Sequence, residues 1–262
     1  MPSLCLGFLT EAAQVLERWQ VSICPCSSGR HRDSPPSVPR KAPKHLNVSP
    51  CSRLQLVLLL ILVALILALG WAPVDRLTWG IEQLLVILAV VAIVVIQRRF
   101  PLSASASLQL FAFLVLHQIG AHYTYSQVPY DDAWQALTGF RLDEALGLQR
   151  NHYDRLVHFA YGLLLARPFR EVVQGLTGLR GWQSAYVALE FVLASSAGYE
   201  LMEWLGADLL AGDDAEAFVG AQGDPWDAQK DMALAFLGAL LSLVCRHGWP
   251  GRRGTGHGVG SP

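Results

Sequence analysis

The chain has 262 residues, of which 52% are hydrophobic and only 16% charged, with a formal net charge of −1. A charged fraction far below the ~25% of soluble domains, with the apolar residues gathered into long blocks, excludes an ordinary soluble globule and marks a polytopic membrane protein. No nucleic-acid partner is expected, and the five cysteines give neither a disulfide framework nor a zinc ribbon.

Residues 1–52 stand apart. The stretch "SSGRHRDSPPSVPRKAPKHLNVSP" (27–50) is rich in Pro, Ser and basic residues and is expected to be disordered. Ahead of it, "MPSLCLGFLTEAAQVLERW" suits a short amphipathic helix and lacks the basic start and small-residue cleavage site of a signal peptide. A translation start placed too early explains this tail equally well.

Six apolar segments follow, at 54–72, 80–97, 102–122, 154–172, 183–204 and 229–246. Each is near the ~20 residues a helix needs to cross ~30 Å of hydrocarbon. The fourth and sixth carry ionisable groups in their first turns. The expected organisation is a tail over 1–52, a membrane domain over 53–247 and a flexible tail over 248–262. The expected fold is an all-α bundle of six transmembrane helices. With both termini cytoplasmic, Arg98, Arg99, Arg167, Arg170, Arg180, Arg246, Arg252 and Arg253 fall inside, as the positive-inside rule requires. The connection 205–226 then falls outside with five acids and no Lys or Arg. Only Arg76, Arg141, Arg150, Arg155 and Lys230 run against the rule.

The same topology gathers polar side chains at one membrane depth. Asp154 and His158 lie four apart on one face of the fourth segment, and Glu200 and Glu203 three apart near the end of the fifth. Asp227 and Asp231 open the sixth, and His117 and His122 close the third. All four groups converge near the outer surface.

Each has a structural reading beside the functional one. Asp224 before Pro225 fits an N-cap, placing Asp227 at N3, and Asn151 fits the same role for the fourth segment. Tyr123, Tyr125, Trp134, Trp204 and Trp226 suit interfacial anchors. An interhelical hydrogen bond suits His117 better than a ligand role, and Lys230 serves to neutralise a neighbouring acid. Asp231 and His158, however, lie a turn beyond any cap, and Glu200 and Glu203 sit where the helix dipole disfavours negative charge. Acids clustered at membrane depth repel unless a cation or proton holds them.

Carboxylates with imidazole suit a divalent metal having an open coordination position. His158, Glu200, Glu203, Asp231 and His122 are the candidate ligands. Asp154, His158, Glu200, Glu203, Asp227 and Asp231 are candidates for the catalytic set, in which a spare carboxylate serves as general base. The same groups also suit a cation- or proton-coupled transporter, or a polar cluster that only locks helix packing. Arg155 and Lys230 beside the acids suit an anionic lipid head group, or ordinary ion pairs. No GxSxG, HExxH, Walker A or strand-linked GxGxxG competes with the cluster.

The segments "HYDRLVHFAYGLLLARPFREV", "GYELMEW" and "GDPWDAQKDMALAFLGALL" resemble the YjdF-like bacterial inner-membrane proteins, over roughly 54–246. The resemblance implies a multi-pass protein of the inner membrane and names no reaction. A more distant similarity is to VanZ-like membrane proteins, linked to glycopeptide resistance. Asp154, His158 and Phe159 match their first motif, Glu200 or Glu203 the second, and Asp227 or Asp231 the third. Gly238 and Ala239 in the last segment are suited to close helix packing. The expected function is therefore a membrane-embedded, metal-dependent hydrolase acting on a lipid or envelope amphiphile, with transport and a purely structural role as alternatives.

Overall fold

The computed structural model describes residues 53–211 and 220–245. The tail over 1–52, the acids Asp213, Asp214 and Glu216, and residues 248–262 lie outside the described residues.

Runs of Leu, Ile, Val and Ala form α1 (Arg53–Leu69), α2 (Arg76–Arg99) and α3 (Ala104–His122). In an apolar medium a helix satisfies every backbone group within its own segment. Polar caps set where these helices begin. The Asp75 carboxylate accepts the Thr78 amide at 2.6 Å, and the Ser103 hydroxyl accepts the Ala106 amide at 3.2 Å. The connection after α3 holds two short helices, α4 (Tyr130–Thr138) and α5 (Leu142–Leu146). Asp131 joins them by accepting the Leu142 and Asp143 amides at 2.6 and 3.0 Å. Then come α6 (Tyr153–Thr177), α7 (Gly181–Gly206), which runs into a π turn at Ala207–Ala211, and α8 (Asp227–Val244).

The protein is all-α, with no strand among the described residues. Each of the six apolar segments is a helix whose bounds lie within a few residues of those expected. By length and apolar composition α2 and α3 are able to cross a membrane, and α1, at 17 residues, is a shorter apolar helix. The more polar α6, α7 and α8 fall short of that composition.

Helix α6 is central and packs against α3, α7 and, most extensively, α8. The contact with α8 is a backbone-to-backbone crossing at two glycines. A Cβ on Gly162 would lie 1.8 Å from the Ala235 carbonyl oxygen, and one on Gly238 2.2 Å from that of Phe159. Small side chains continue the seam, with Ala166, Ala235 and Ala239 fully buried beside Val192 and Leu243. Helices α1 and α2 each pack on α3.

The chain alternates between two ends. At one, the Val74 amide donates to the His122 carbonyl at 2.9 Å, which sets the α1–α2 turn against the end of α3. At the other, Ser103 donates its amide and hydroxyl to Glu171 of α6 at 3.0 and 2.7 Å. Polarity is inverted relative to a soluble fold. Leu60, Leu67, Leu84 and Ile87 face outward, while Glu82, Gln83, His117, Gln118, Asp154, His158 and Asp231 are buried.

Candidate functional site

The site is built where α6 begins, α7 ends and α8 begins. His158, one turn along α6 from Asp154, points its Nε2 between two carboxylates. Asp154 Oδ1 lies at 3.6 Å and Glu200 Oε1 of α7 at 3.3 Å. Asp231 of α8 completes the group: ligand-type atoms of Asp154, His158 and Asp231 lie within 4.8 Å of one another, and all three residues are buried. Asp231 is only 2% exposed, and its Oδ1 has no hydrogen-bond partner among the described residues. Glu200 is 9% exposed, and its Oε1 likewise lacks a hydrogen bond. Leaving buried polar atoms unmatched costs roughly 1–3 kcal/mol each, more when charged. Carboxylates held this way call for a bound cation or protons.

A belt of ion pairs covers the cluster. Arg150, in the connection before α6, donates to both oxygens of Asp227, at 2.6 and 3.1 Å, and to the Ala221 carbonyl at 2.9 Å. Arg155 reaches Asp224 at 2.5 Å and Asp227 at 3.0 Å, and Lys230 reaches Asp224 at 2.5 Å. Asp224 and Asp227 are thus matched by cations, while among the described residues no Arg or Lys pairs with Asp154, Glu200 or Asp231. Asp224 lies in the turn before α8, outside the long helices. Its carboxyl is held down to about 2 by the hydrogen bond from Lys230, with the Trp226 amide and Arg155 adding to the effect.

Several expectations are revised here. Asp227 is the first residue of α8 rather than its third, because the chain before it makes a turn. Asp224 accepts the Trp226 amide at 3.1 Å through its side chain and the Asp227 amide at 3.2 Å through its carbonyl. Asn151 makes the equivalent turn before α6, accepting the Tyr153 amide at 3.0 Å. Both Arg155 and Lys230 are engaged with acids. His122 lies apart from the cluster, its Nδ1 bonded to the Leu69 carbonyl at 2.7 Å. Tyr125 is no surface anchor. Thr124 and Tyr125 both take left-handed φ values of 53°, which turns the Tyr125 ring inward over Gly120, where a Cβ would meet it at 2.4 Å. Its hydroxyl bonds His117 Nδ1 at 2.7 Å.

Sequence reasoning missed two participants. Glu82 of α2 is buried, bonded by the Tyr199 hydroxyl at 2.8 Å and facing His117 Nε2 at 3.7 Å. Tyr199 also packs edge-on against His158, ring centres 5.8 Å apart. An acid inside the apolar segment 80–97 is the signal that could have found Glu82, to which sequence reasoning assigns no role. Glu203, near the end of α7, is half-buried and is not among the residues whose ligand-type atoms gather within 4.8 Å.

Comparison with known proteins places the chain among membrane proteins. The family described as "Predicted membrane protein (DUF2238)" matches residues 54–252. The inner membrane protein YjdF of Escherichia coli (strain K12) is 38% identical over 186 residues, covering 71% of this chain and 85% of that protein. No solved structure matches.

Proposed function

The chain belongs to the DUF2238 family of membrane proteins, and on that premise we propose that it is a membrane-embedded, metal-dependent hydrolase acting on a lipid or envelope amphiphile. It is a protein of the inner membrane. In this reading all six long helices cross the bilayer, both termini are cytoplasmic, and the site opens near the outer face. One observation carries the reading: Asp154, His158 and Asp231 bring ligand atoms within 4.8 Å of one another in a buried place, with Asp231 Oδ1 unmatched.

Two carboxylates and an imidazole are the donor set of a divalent cation such as Zn²⁺ or Mn²⁺. A bound cation supplies a water acidic enough to attack at neutral pH. Glu200 is the carboxylate left over, placed to accept a proton. The ion pairs of Arg150 and Arg155 with Asp224 and Asp227 tie the connection before α6 to the start of α8 beside the site. The motif likeness of Asp154, His158 and Phe159 to VanZ-like proteins belongs to the same reading.

Transport is the weaker alternative. A path to the far side would run through the packed apolar seam of Ala166, Val192, Ala235, Ala239 and Leu243. A packing role is weaker still, since networks retained for packing satisfy their members, and here buried oxygens are left over. Metal content of the detergent-purified protein tests the proposal. About one tightly held divalent cation per chain is expected at this cluster, lost in Asp231→Ala and His158→Ala. Metal-free wild type, folded and supplied with metals throughout, would overturn it.

A further inference from the structure

The atoms that remain unassigned lie next to this cluster. Glu82 and His117 are each 7% exposed, and among the described residues Glu82 Oε2 and His117 Nε2 both lack a hydrogen-bond partner. These two atoms face each other across 3.7 Å. The separation is too long for a hydrogen bond. It suits two ligands of one ion, since bonds of about 2.0–2.2 Å at a tetrahedral angle place donor atoms about 3.4 Å apart.

The other atom of each group is already held. Tyr199 donates to Glu82 Oε1 at 2.8 Å, and Tyr125 engages His117 Nδ1 at 2.7 Å. One donor atom pinned by an outer partner and one left bare is the pattern of metal-ligating carboxylates and imidazoles. Tyr125 reaches His117 only through its left-handed backbone, a conformation costly for a bulky residue. Glu82 itself stands in an otherwise apolar helix, where a charge is expensive and marks function.

We propose that Glu82 and His117 form a second divalent-cation site beside Asp154, His158 and Asp231. The proposal rests on the reading of that first cluster as a metal centre. Tyr199 links the two places, its hydroxyl on Glu82 and its ring against His158. Bound protons or a second ion would balance the charge here. Glu82, Asp154, Glu200 and Asp231 carry four negative charges when ionised, and one divalent cation offsets two of them. Arg150 and Arg155 are turned to Asp224 and Asp227.

Stripping the purified protein with a chelator, titrating it with Zn²⁺ or Mn²⁺ and counting bound ions per chain decides the matter. Two ions per chain are expected for wild type. One is expected for Glu82→Gln and for His117→Gln, and one for Asp231→Asn. Tyr199→Phe alters no ligand, so it should keep two ions while weakening the second about 10–100-fold. Size-exclusion profiles identify any variant that fails to fold, and Tyr199→Phe preserves the test if Glu82→Gln is one of them. A single ion in wild type, unchanged by Glu82→Gln and His117→Gln and lost in Asp231→Asn, overturns the second site and leaves the first standing. No ion in folded wild type overturns both.

Discussion

Asp224 holds two cations at once. Its Oδ2 accepts from Arg155 and from Lys230, both at 2.5 Å, and its Oδ1 accepts the Trp226 amide. These bonds favour the ionised form, so the carboxyl titrates near about 2 instead of its ordinary 3.8. A group whose pKa is depressed on folding binds fewer protons folded than unfolded in the interval between the two values, so stability rises with pH across that interval. The contribution is complete above about pH 4 and is lost as pH falls toward about 2. Asp224→Asn should therefore melt below wild type by a constant margin at pH 5–7, and the two melting curves should converge as pH approaches 2. A margin unchanged across that range would show that the Asp224 pairs add nothing to folding. Arg150 teaches the complementary lesson. Its partner Asp227 lies 77 positions away, and no local pattern announces which acid an arginine will reach once a connection docks.

At the scale of helices, the crossing of α6 and α8 sets the whole site, because it brings Asp154 and His158 to Asp231. Gly162 and Gly238 permit that approach. Gly162→Ala or Gly238→Ala forces a methyl into a neighbouring backbone, and overpacking of this kind costs typically about 1–3 kcal/mol and sometimes more. Thermal unfolding in detergent should drop by several degrees for either. Gly198→Ala in α7 meets nothing within 4 Å and should be neutral or slightly stabilising, since Ala is the better helix former. Equal effects at all three positions would refute the close crossing. These helices were legible in the sequence because apolar runs near twenty residues have few alternatives in lipid. The pairs Asp154–His158 and Glu200–Glu203 were legible because charge stands out in such runs and helical spacing fixes the face. The Tyr125–His117 contact was not, because it depends on two left-handed residues that are neither Gly nor Asn, a choice made by tertiary packing over Gly120.

At the scale of the molecule, the open question is how many helices cross. Helices α2 and α3 pass on composition alone, whereas α6, α7 and α8 carry the ionisable groups that make the site and so dilute the signal that would mark them as spans. Their charges are turned inward against one another, which lets a helix stay in hydrocarbon despite its composition. Two positions bracket these three helices: Leu137 of α4, 85% exposed ahead of α6, and the exposed free Cys245 at the end of α8. If all three cross, the two positions lie on opposite faces. In a background with the five cysteines replaced, Leu137→Cys should react with a membrane-impermeant maleimide on intact spheroplasts. Cys245 restored alone should react only after the membrane is broken. The reversed pattern would invert the orientation that the arginines specify and move the site to the cytoplasmic face. Labelling of both from one side would mean that one of α6, α7 and α8, or all three, do not cross. The carboxylates would then meet water directly, which excludes a metal centre buried in the membrane.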